Sequence, residues 1–225
     1  MQLINSSRRY GFVTKFFHWS IMLLFLFQFL SIIYFRYLED NGGDFTWRVM
    51  NWHKTSGLLI LILGTLRYIW RLTTPLPDWP KNFDSWDTKV SHFAEWGLYA
   101  SIFLMTLSGT FIELAGGYYI NFFGIFHLDA VSPFIHAGDA SYEESIVAAR
   151  KAISSPFIHD SLVAVHVTGA YAVIVFLTVH LTHVFRHQVM LKDKLLNRML
   201  NGNDSEEPDV PSTPADNNQQ SKSGS

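Results

Sequence analysis

The chain has no cysteine among its 225 residues. This absence excludes a disulfide framework, thiolate-bound iron–sulfur clusters, thiol catalysis and the covalent haem attachment that needs a Cys-x-x-Cys-His sequence. Charged residues make up only 16%, whereas a soluble domain carries about a quarter. The formal net charge is −2, which gives no reason to expect nucleic-acid binding. Since 48% of the residues are hydrophobic, the composition predicts a membrane protein.

Long apolar stretches predict an all-α fold, a bundle of four transmembrane helices. The predicted spans are Phe16–Phe35, Trp52–Leu72, Phe93–Leu114 and Ser161–Phe185. The first has neither the short apolar centre nor the small-residue cleavage site of a signal peptide. We therefore expect it to remain as a permanent helix.

The distribution of lysine and arginine predicts the orientation of the bundle. These residues concentrate before the first span, around the link between the second and third, and after the fourth. The positive-inside bias then places both termini in the cytoplasm of a bacterial inner membrane, crossed several times by the chain.

Two of the segments outside the predicted spans carry signals of their own. The long loop Ala115–Asp160 contains a capping-box pattern at residues 141–144, which predicts a short periplasmic surface helix over Ser145–Ile153. Residues 201–225 have almost no apolar side chains, which predicts a disordered tail after one membrane domain at 1–200.

Two histidines, His166 and His180, lie fourteen residues apart in the fourth span. At about 100° per residue this interval is roughly 40° short of four turns, so both side chains leave the helix on nearly the same face. The rise between them is about 21 Å, too far for one metal to bind both. The interval therefore predicts two separate sites near opposite membrane surfaces.

Two earlier histidines supply a partner at each depth. In the predicted topology His18 lies near the cytoplasmic end with His180, and His53 near the periplasmic end with His166. Zinc would demand more protein ligands than two imidazoles per site. Haem needs only two axial ligands, so the pattern predicts two non-covalent b haems. Such bis-histidine ligation leaves no open iron position, which favours electron transfer over oxygen chemistry.

Other polar residues near the predicted membrane surfaces are weaker candidates. His92 and Glu95, one turn apart, are candidates for the proton-handling edge of a quinone site. His183 and His187 follow His180 on its general face, and either could replace it as ligand; otherwise we expect them nearer the water, against lipid headgroups or haem propionates. The cationic candidates for propionate contacts are Arg67, Arg71 and Lys54.

The chain resembles the bacterial cytochrome b561 family of four-helix, di-haem membrane cytochromes. The matching motifs lie within about residues 8–200 and are Arg9-Tyr10-Gly11 before His18-Trp19, His53-Lys54-Thr55-Ser56-Gly57 before Arg67 and Arg71, His166 with His180 and His187, and Lys192-Asp193 with Leu196, Arg198 and Met199. The resemblance implies that His18, His53, His166 and His180 are the axial ligands of two b haems. Glu95 departs from the family, several members of which have histidine there.

The resemblance also implies a set of possible functions. Family members pass electrons between the quinone pool, ubiquinone or menaquinone, and a periplasmic donor or acceptor, and we expect this activity here. One alternative is a superoxide:ubiquinone oxidoreductase, with Lys54 and Arg48 attracting the anion. A second alternative is the membrane-anchoring cytochrome b subunit of a periplasmic hydrogenase or dehydrogenase. A bundle without a redox role would contain no haem.

Overall fold

A computed structural model describes residues 2–7, 9–39, 43–79, 83–115, 120–123, 125–128, 156–192 and 195–200. These residues are mostly helical. In chain order the elements are α1 (Phe12–Leu38), α2 (Asp44–Thr73), α3 (Ser85–Ala115), β1 (Ile120–Phe122), β2 (Phe126–Leu128), α4 (Pro156–Phe185), a π-helical segment (Arg186–Leu191) and α5 (Leu195–Leu200).

The four long helices extend beyond the apolar stretches that predicted them. Helix α2 begins eight residues before Trp52, and α3 begins eight residues before Phe93. Hydropathy marks where a helix is apolar, whereas the hydrogen-bonded turns continue into polar sequence. The chain leaves α2 at Thr74, which is extended because Pro75 follows it.

Three of the described helices are long and apolar enough to cross a membrane, namely Phe12–Leu38, Phe45–Thr73 and Pro156–Leu191. Much of their apolar surface faces outward; only 22% of the apolar window of α1 and 11% of that of α4 is buried inside the protein. Apolar side chains exposed on this scale fit a lipid bilayer. The prediction of a membrane protein is thereby supported, with three candidate spans where the hydropathy of the sequence predicted four.

Helix α3 packs along α4, and α1 packs along α2. The α3–α4 contact is close at Gly169, where an added Cβ would lie 2.9 Å from Met105 Cβ and 3.1 Å from its Cα. Two further residues of the core, Ile60 and Val173, come from α2 and α4. The core therefore contains residues from both the α1–α2 pair and the α3–α4 pair.

The N-terminal segment closes one end of the bundle, here called the His18 end. Asn5 donates to the carbonyl of Pro75 at 2.9 Å and accepts from the backbone N–H of Gly11 at 2.8 Å. At Gly11, a Cβ would lie only 2.3 Å from the carbonyl oxygen of Leu3. A glycine is therefore required where the chain turns into α1.

A two-stranded antiparallel hairpin lies at the opposite end, here called the His53 end. Strands β1 and β2 pair Ile120 with Leu128 and Phe122 with Phe126. The hydroxyl of Thr55 donates to the carbonyl of Asn121 at 2.8 Å and ties the hairpin to α2. The all-α prediction is thus corrected by one small hairpin. The predicted surface helix over 145–153 and the tail over 201–225 lie outside the described residues.

Candidate functional site

The first pair of histidines lies at the His18 end. The rings of His18 on α1 and His180 on α4 have centroids 6.3 Å apart and planes at 56°. Both side chains are only partly exposed. The structure therefore brings together the two residues that the sequence placed at one depth.

The second pair lies at the His53 end. His53 on α2 and His166 on α4 have ring centroids 6.4 Å apart and ring planes at 73°. Helix α4 thus contributes one histidine to each pair, while α1 and α2 contribute one partner each. Both pairs have nearly the same separation although different helices build them.

The separation of each pair fits a metal between the rings. A metal–imidazole bond is about 2.0–2.1 Å, and a ring nitrogen lies about 1.1 Å from the centre of a five-membered ring with bonds of about 1.35 Å. Two imidazoles on opposite sides of one ion therefore have centroids about 6.3 Å apart. The donor set of two imidazoles per site suits haem iron, because the porphyrin supplies the remaining four nitrogens.

Hydrogen bonds orient the second pair. Nδ1 of His166 donates to the carbonyl of Met105 at 2.7 Å. Nδ1 of His53 lies 3.1 Å from Ser31 Oγ, which itself donates to the Gln28 carbonyl at 2.8 Å and so accepts from the imidazole. Protonated Nδ1 leaves Nε2 as the ligand atom, the usual arrangement of metal-bound histidine.

A glycine makes room for the His166 ring. A Cβ at position 109 on α3 would lie 2.7 Å from Cε1 and 2.9 Å from Nδ1 of His166. A side chain there would displace the ring or the helix. Gly109 therefore leaves the space that the His166 ring occupies.

The first pair is held differently. Arg67 Nη1 lies 3.1 Å from Nδ1 of His18, and Arg67 Nε donates to the Tyr99 hydroxyl at 3.1 Å. A guanidinium only donates, so His18 Nδ1 accepts here and Nε2 keeps its proton. For Nε2 to bind a metal, its proton must move to Nδ1, and the hydrogen bond from Arg67 must then break. The Arg67 guanidinium would become available to an anion such as a haem propionate.

An ion pair lies beside the first pair of histidines. Arg71 on α2 donates to both carboxylate oxygens of Glu95 on α3, at 2.6 and 3.1 Å. Nδ1 of His92 lies 3.8 Å from the same carboxylate. Burial raises the pKa of the nearby Tyr10 phenol, and the Glu95 carboxylate raises it further. The predicted quinone-site pair His92–Glu95 is thus close in space, with Glu95 already held by Arg71.

At the His53 end, Lys54 is ion-paired as well. Its Nζ donates to Glu113 Oε2 on α3 at 2.7 Å, and both side chains are mostly buried. The sequence predicts the Lys54 cation as a partner for haem propionates or superoxide. In the structure the Glu113 carboxylate compensates this charge.

The two histidines after His180 lie in a different environment from the one predicted. His187 is fully buried and His183 is 9% exposed, and both are close to Asp87 at the start of α3. The sequence placed both histidines nearer the water, against lipid headgroups or haem propionates, whereas the structure buries them beside α3. His180 is the histidine whose ring lies 6.3 Å from that of His18.

Some participating residues had no clear signal in the sequence. Ser31, Met105 and Asp87 matter through contacts with other helices, and a lone serine, a backbone carbonyl or an aspartate near a helix start carries no distinctive pattern. Gln28 is a further buried polar side chain on α1.

Comparison with known proteins agrees with this geometry. A model of the prokaryotic cytochrome b561 family matches residues 9–202. The chain belongs to the prokaryotic cytochrome b561 family. Within that family the chain is similar to cytochrome b561 homolog 2 of Escherichia coli strain K12, with 24% identity over 206 residues that cover 92% of this chain and 98% of the relative.

Family membership confirms the resemblance read from the motifs. It makes the protein a prokaryotic membrane cytochrome, implies haem b as cofactor, and places its function in electron transport. The histidine pairs provide a donor set that fits this cofactor.

Proposed function

We propose that the protein is a di-haem b-type cytochrome of the bacterial inner membrane that transfers electrons between the quinone pool and a periplasmic donor or acceptor. The observation that carries the proposal is the pair of neighbouring imidazoles at each end of the bundle, with centroids 6.3 and 6.4 Å apart. Two such pairs support two haems, one near each membrane surface.

In this proposal His18 and His180 hold one haem iron, and His53 and His166 hold the other. A bound haem supplies reversible one-electron chemistry. The side chains orient and enclose it. With two imidazoles holding each haem, neither site would offer its iron to a substrate.

The proposal requires α3 to be the fourth span. At about 1.5 Å per residue, its 31 residues give a helix of roughly 46 Å, longer than a hydrocarbon core of about 30 Å. Its packing along α4, itself a candidate span, supports the same placement. Both termini then lie in the cytoplasm, and the His18 end faces the cytoplasm.

The quinone contact is proposed at the His18 end. Arg67, once released from His18, supplies a cation there, and His92 offers an imidazole that exchanges protons beside the Arg71–Glu95 ion pair. His187 is held against Asp87 instead. Ubiquinone or menaquinone is the expected partner.

The superoxide alternative has weaker support in this geometry. It needs a positively charged surface that attracts superoxide to the haem at the His53 end, yet Lys54 is paired with Glu113 at 2.7 Å. The anchoring alternative depends on the loop between α3 and α4, most of which lies outside the described residues.

The first test is the amount of haem b per polypeptide in protein purified from haem-replete cells. We expect two haems per chain. Replacement of His53 or His166 by alanine should remove one spectral component, and replacement of His18 or His180 the other. His159→Ala, at an exposed position on α4, is the matched control and should retain both.

The haem count, together with two further measurements, also separates the alternatives. No haem in the purified protein would overturn the proposal, and losses that group differently would overturn the pairing. Reduction of the haems by superoxide would favour the oxidoreductase, whereas co-purification of a large periplasmic subunit would favour the anchor.

A further inference from the structure

A second cluster of potential ligands lies where the start of α3 meets the π-helical end of α4. One ligand atom each from Asp87, His183 and His187 lies within 4.8 Å of the others. Their exposed fractions are 2%, 9% and 0%. Two imidazoles and a carboxylate form a donor set used by zinc and by non-haem iron. We propose that this cluster binds a divalent metal ion of the zinc type through these three side chains.

The spacing within the cluster supports metal ligation. Nε2 of His187 lies 3.3 Å from Asp87 Oδ1, longer than the usual hydrogen bond of about 2.9–3.0 Å. Two ligand atoms that share a tetrahedral ion with bonds of about 2.0–2.1 Å are separated by about 3.3 Å. The observed distance therefore matches one edge of a zinc coordination sphere.

The local backbone holds the second histidine in place. Residues Arg186–Leu191 form a π-helical turn, and Lys192 ends it in a left-handed conformation with φ 57°. The N–H of Lys192 bonds the carbonyl of His187. The His183 and His187 rings lie 4.5 Å apart at 62°. Short π-helical turns inside α-helices often occur at functional sites, and this one begins directly before a proposed ligand.

Neighbouring side chains orient the three proposed ligands. Arg186 donates to Asp87 Oδ1, Ser91 Oγ lies 3.0 Å from Nε2 of His183, and the Phe83 ring stacks on His187 at 4.4 Å. Such outer contacts fix the orientation of metal ligands. The Arg186 cation also keeps the carboxylate ionised, although it opposes the charge of the metal ion.

A cleft reaches one of the three proposed ligands, His183. It has a volume of about 480 Å³ between α3 and α4, and His183 and Arg186 line it with Trp86. An entry path is a requirement for a site that exchanges its metal. The competing explanation is that Asp87, Arg186 and His187 form an ion-pair network that only joins the two helices.

The test is zinc binding by the holoprotein, purified in detergent through a histidine-free tag. After dialysis against a defined free zinc concentration, zinc and haem are counted per chain. We expect one zinc per wild-type chain and at least about tenfold weaker binding by Asp87→Asn and by His187→Gln. His159→Gln is the matched control, because His159 is an exposed histidine beside Asp160, 3.3 Å away, and should bind zinc like the wild type.

Haem content separates this inference from the proposed function and reports on folding. A variant that keeps its haem and loses zinc supports the site. Equal zinc binding by wild type and both cluster variants, or no stoichiometric zinc in the wild type, overturns it. If a variant fails to fold, zinc-edge X-ray absorption of the wild type decides: two imidazole ligands support the site, and a shell without imidazole overturns it.

Discussion

Three of the four paired histidines differ in what holds their rings. His166 donates to a backbone carbonyl, His53 to a serine hydroxyl, and His18 accepts from an arginine. The first two arrangements leave Nε2 ready to bind a metal, whereas the third must rearrange first. We therefore expect the site at the His53 end to be the more fully preorganised of the two.

The serine beside His53, Ser31, provides a test of this expectation. Ser31→Ala removes the acceptor for Nδ1–H, and loss of such a partner typically weakens metal binding about 10–100-fold. We expect faster loss of one haem to a competing haem acceptor, followed by absorbance, while the other haem is retained at the wild-type rate.

The matched control is Ser101→Ala. Ser101 is also a buried serine in a long helix, but its hydroxyl donates to the carbonyl of Gly97 in its own helix. Its replacement should leave both haems in place. Equal retention by Ser31→Ala and Ser101→Ala would contradict the role given to Ser31.

Among the elements, α3 and α4 make the contact that positions the second site. Gly169 of α4 lies against the backbone of Met105, whose carbonyl accepts from His166. The same helix crossing therefore sets both the spacing of the helices and the orientation of the imidazole. Small residues allow such close approach in membrane bundles.

Adding a methyl group at Gly169 should destabilise the protein. In Gly169→Ala the new Cβ would meet Met105 backbone atoms at 3.1 Å, which cannot move aside as a side-chain end can. We expect a loss of about 1–3 kcal/mol in the free energy of unfolding, measured by SDS-induced or thermal unfolding.

Gly64→Ala is the control for the change in helix propensity. A Cβ there meets Ile102 Cγ2 at 3.6 Å, an ordinary contact, and alanine is favoured over glycine in a helix by about 1 kcal/mol. Its stability should equal or exceed that of the wild type. A Gly169→Ala protein as stable as Gly64→Ala would show that the crossing tolerates a methyl group.

For the whole molecule, the number of spans decides which parts of the chain share a side of the membrane. If α3 crosses the bilayer, the link after α2 and the hairpin after α3 lie on opposite sides. If it does not, they lie on the same side. The absence of cysteine makes this measurable, because any introduced thiol is unique.

Single cysteines at Ser7, Thr73 and Phe123 test the topology, since all three positions are exposed. In intact cells with a permeable outer membrane, a membrane-impermeant maleimide should label Phe123→Cys alone. Ser7→Cys and Thr73→Cys should react only after the membrane is opened. Protection of all three in intact cells would contradict the fourth span.

The sequence predicted much of this architecture because hydropathy and helical periodicity are local properties. Four apolar stretches predicted the four long helices, and the interval between His166 and His180 predicted two separate sites. The hairpin at 120–128 was not predicted, since two three-residue strands leave little pattern. The burial of His187 was not predicted either, because the π-helical turn after Phe185 changes the angular spacing of the residues around the helix axis.

By itself, the sequence determined the membrane class, the family and the set of histidines available as ligands, because composition and motifs need no knowledge of packing. Only the tertiary structure decided that His53 donates to Ser31, that Lys54 is neutralised by Glu113, and that Asp87 meets two histidines. Those contacts join residues 22 to 100 positions apart. They depend on helix crossing and rotation, which are set by side-chain packing between helices and not by any pattern along one of them.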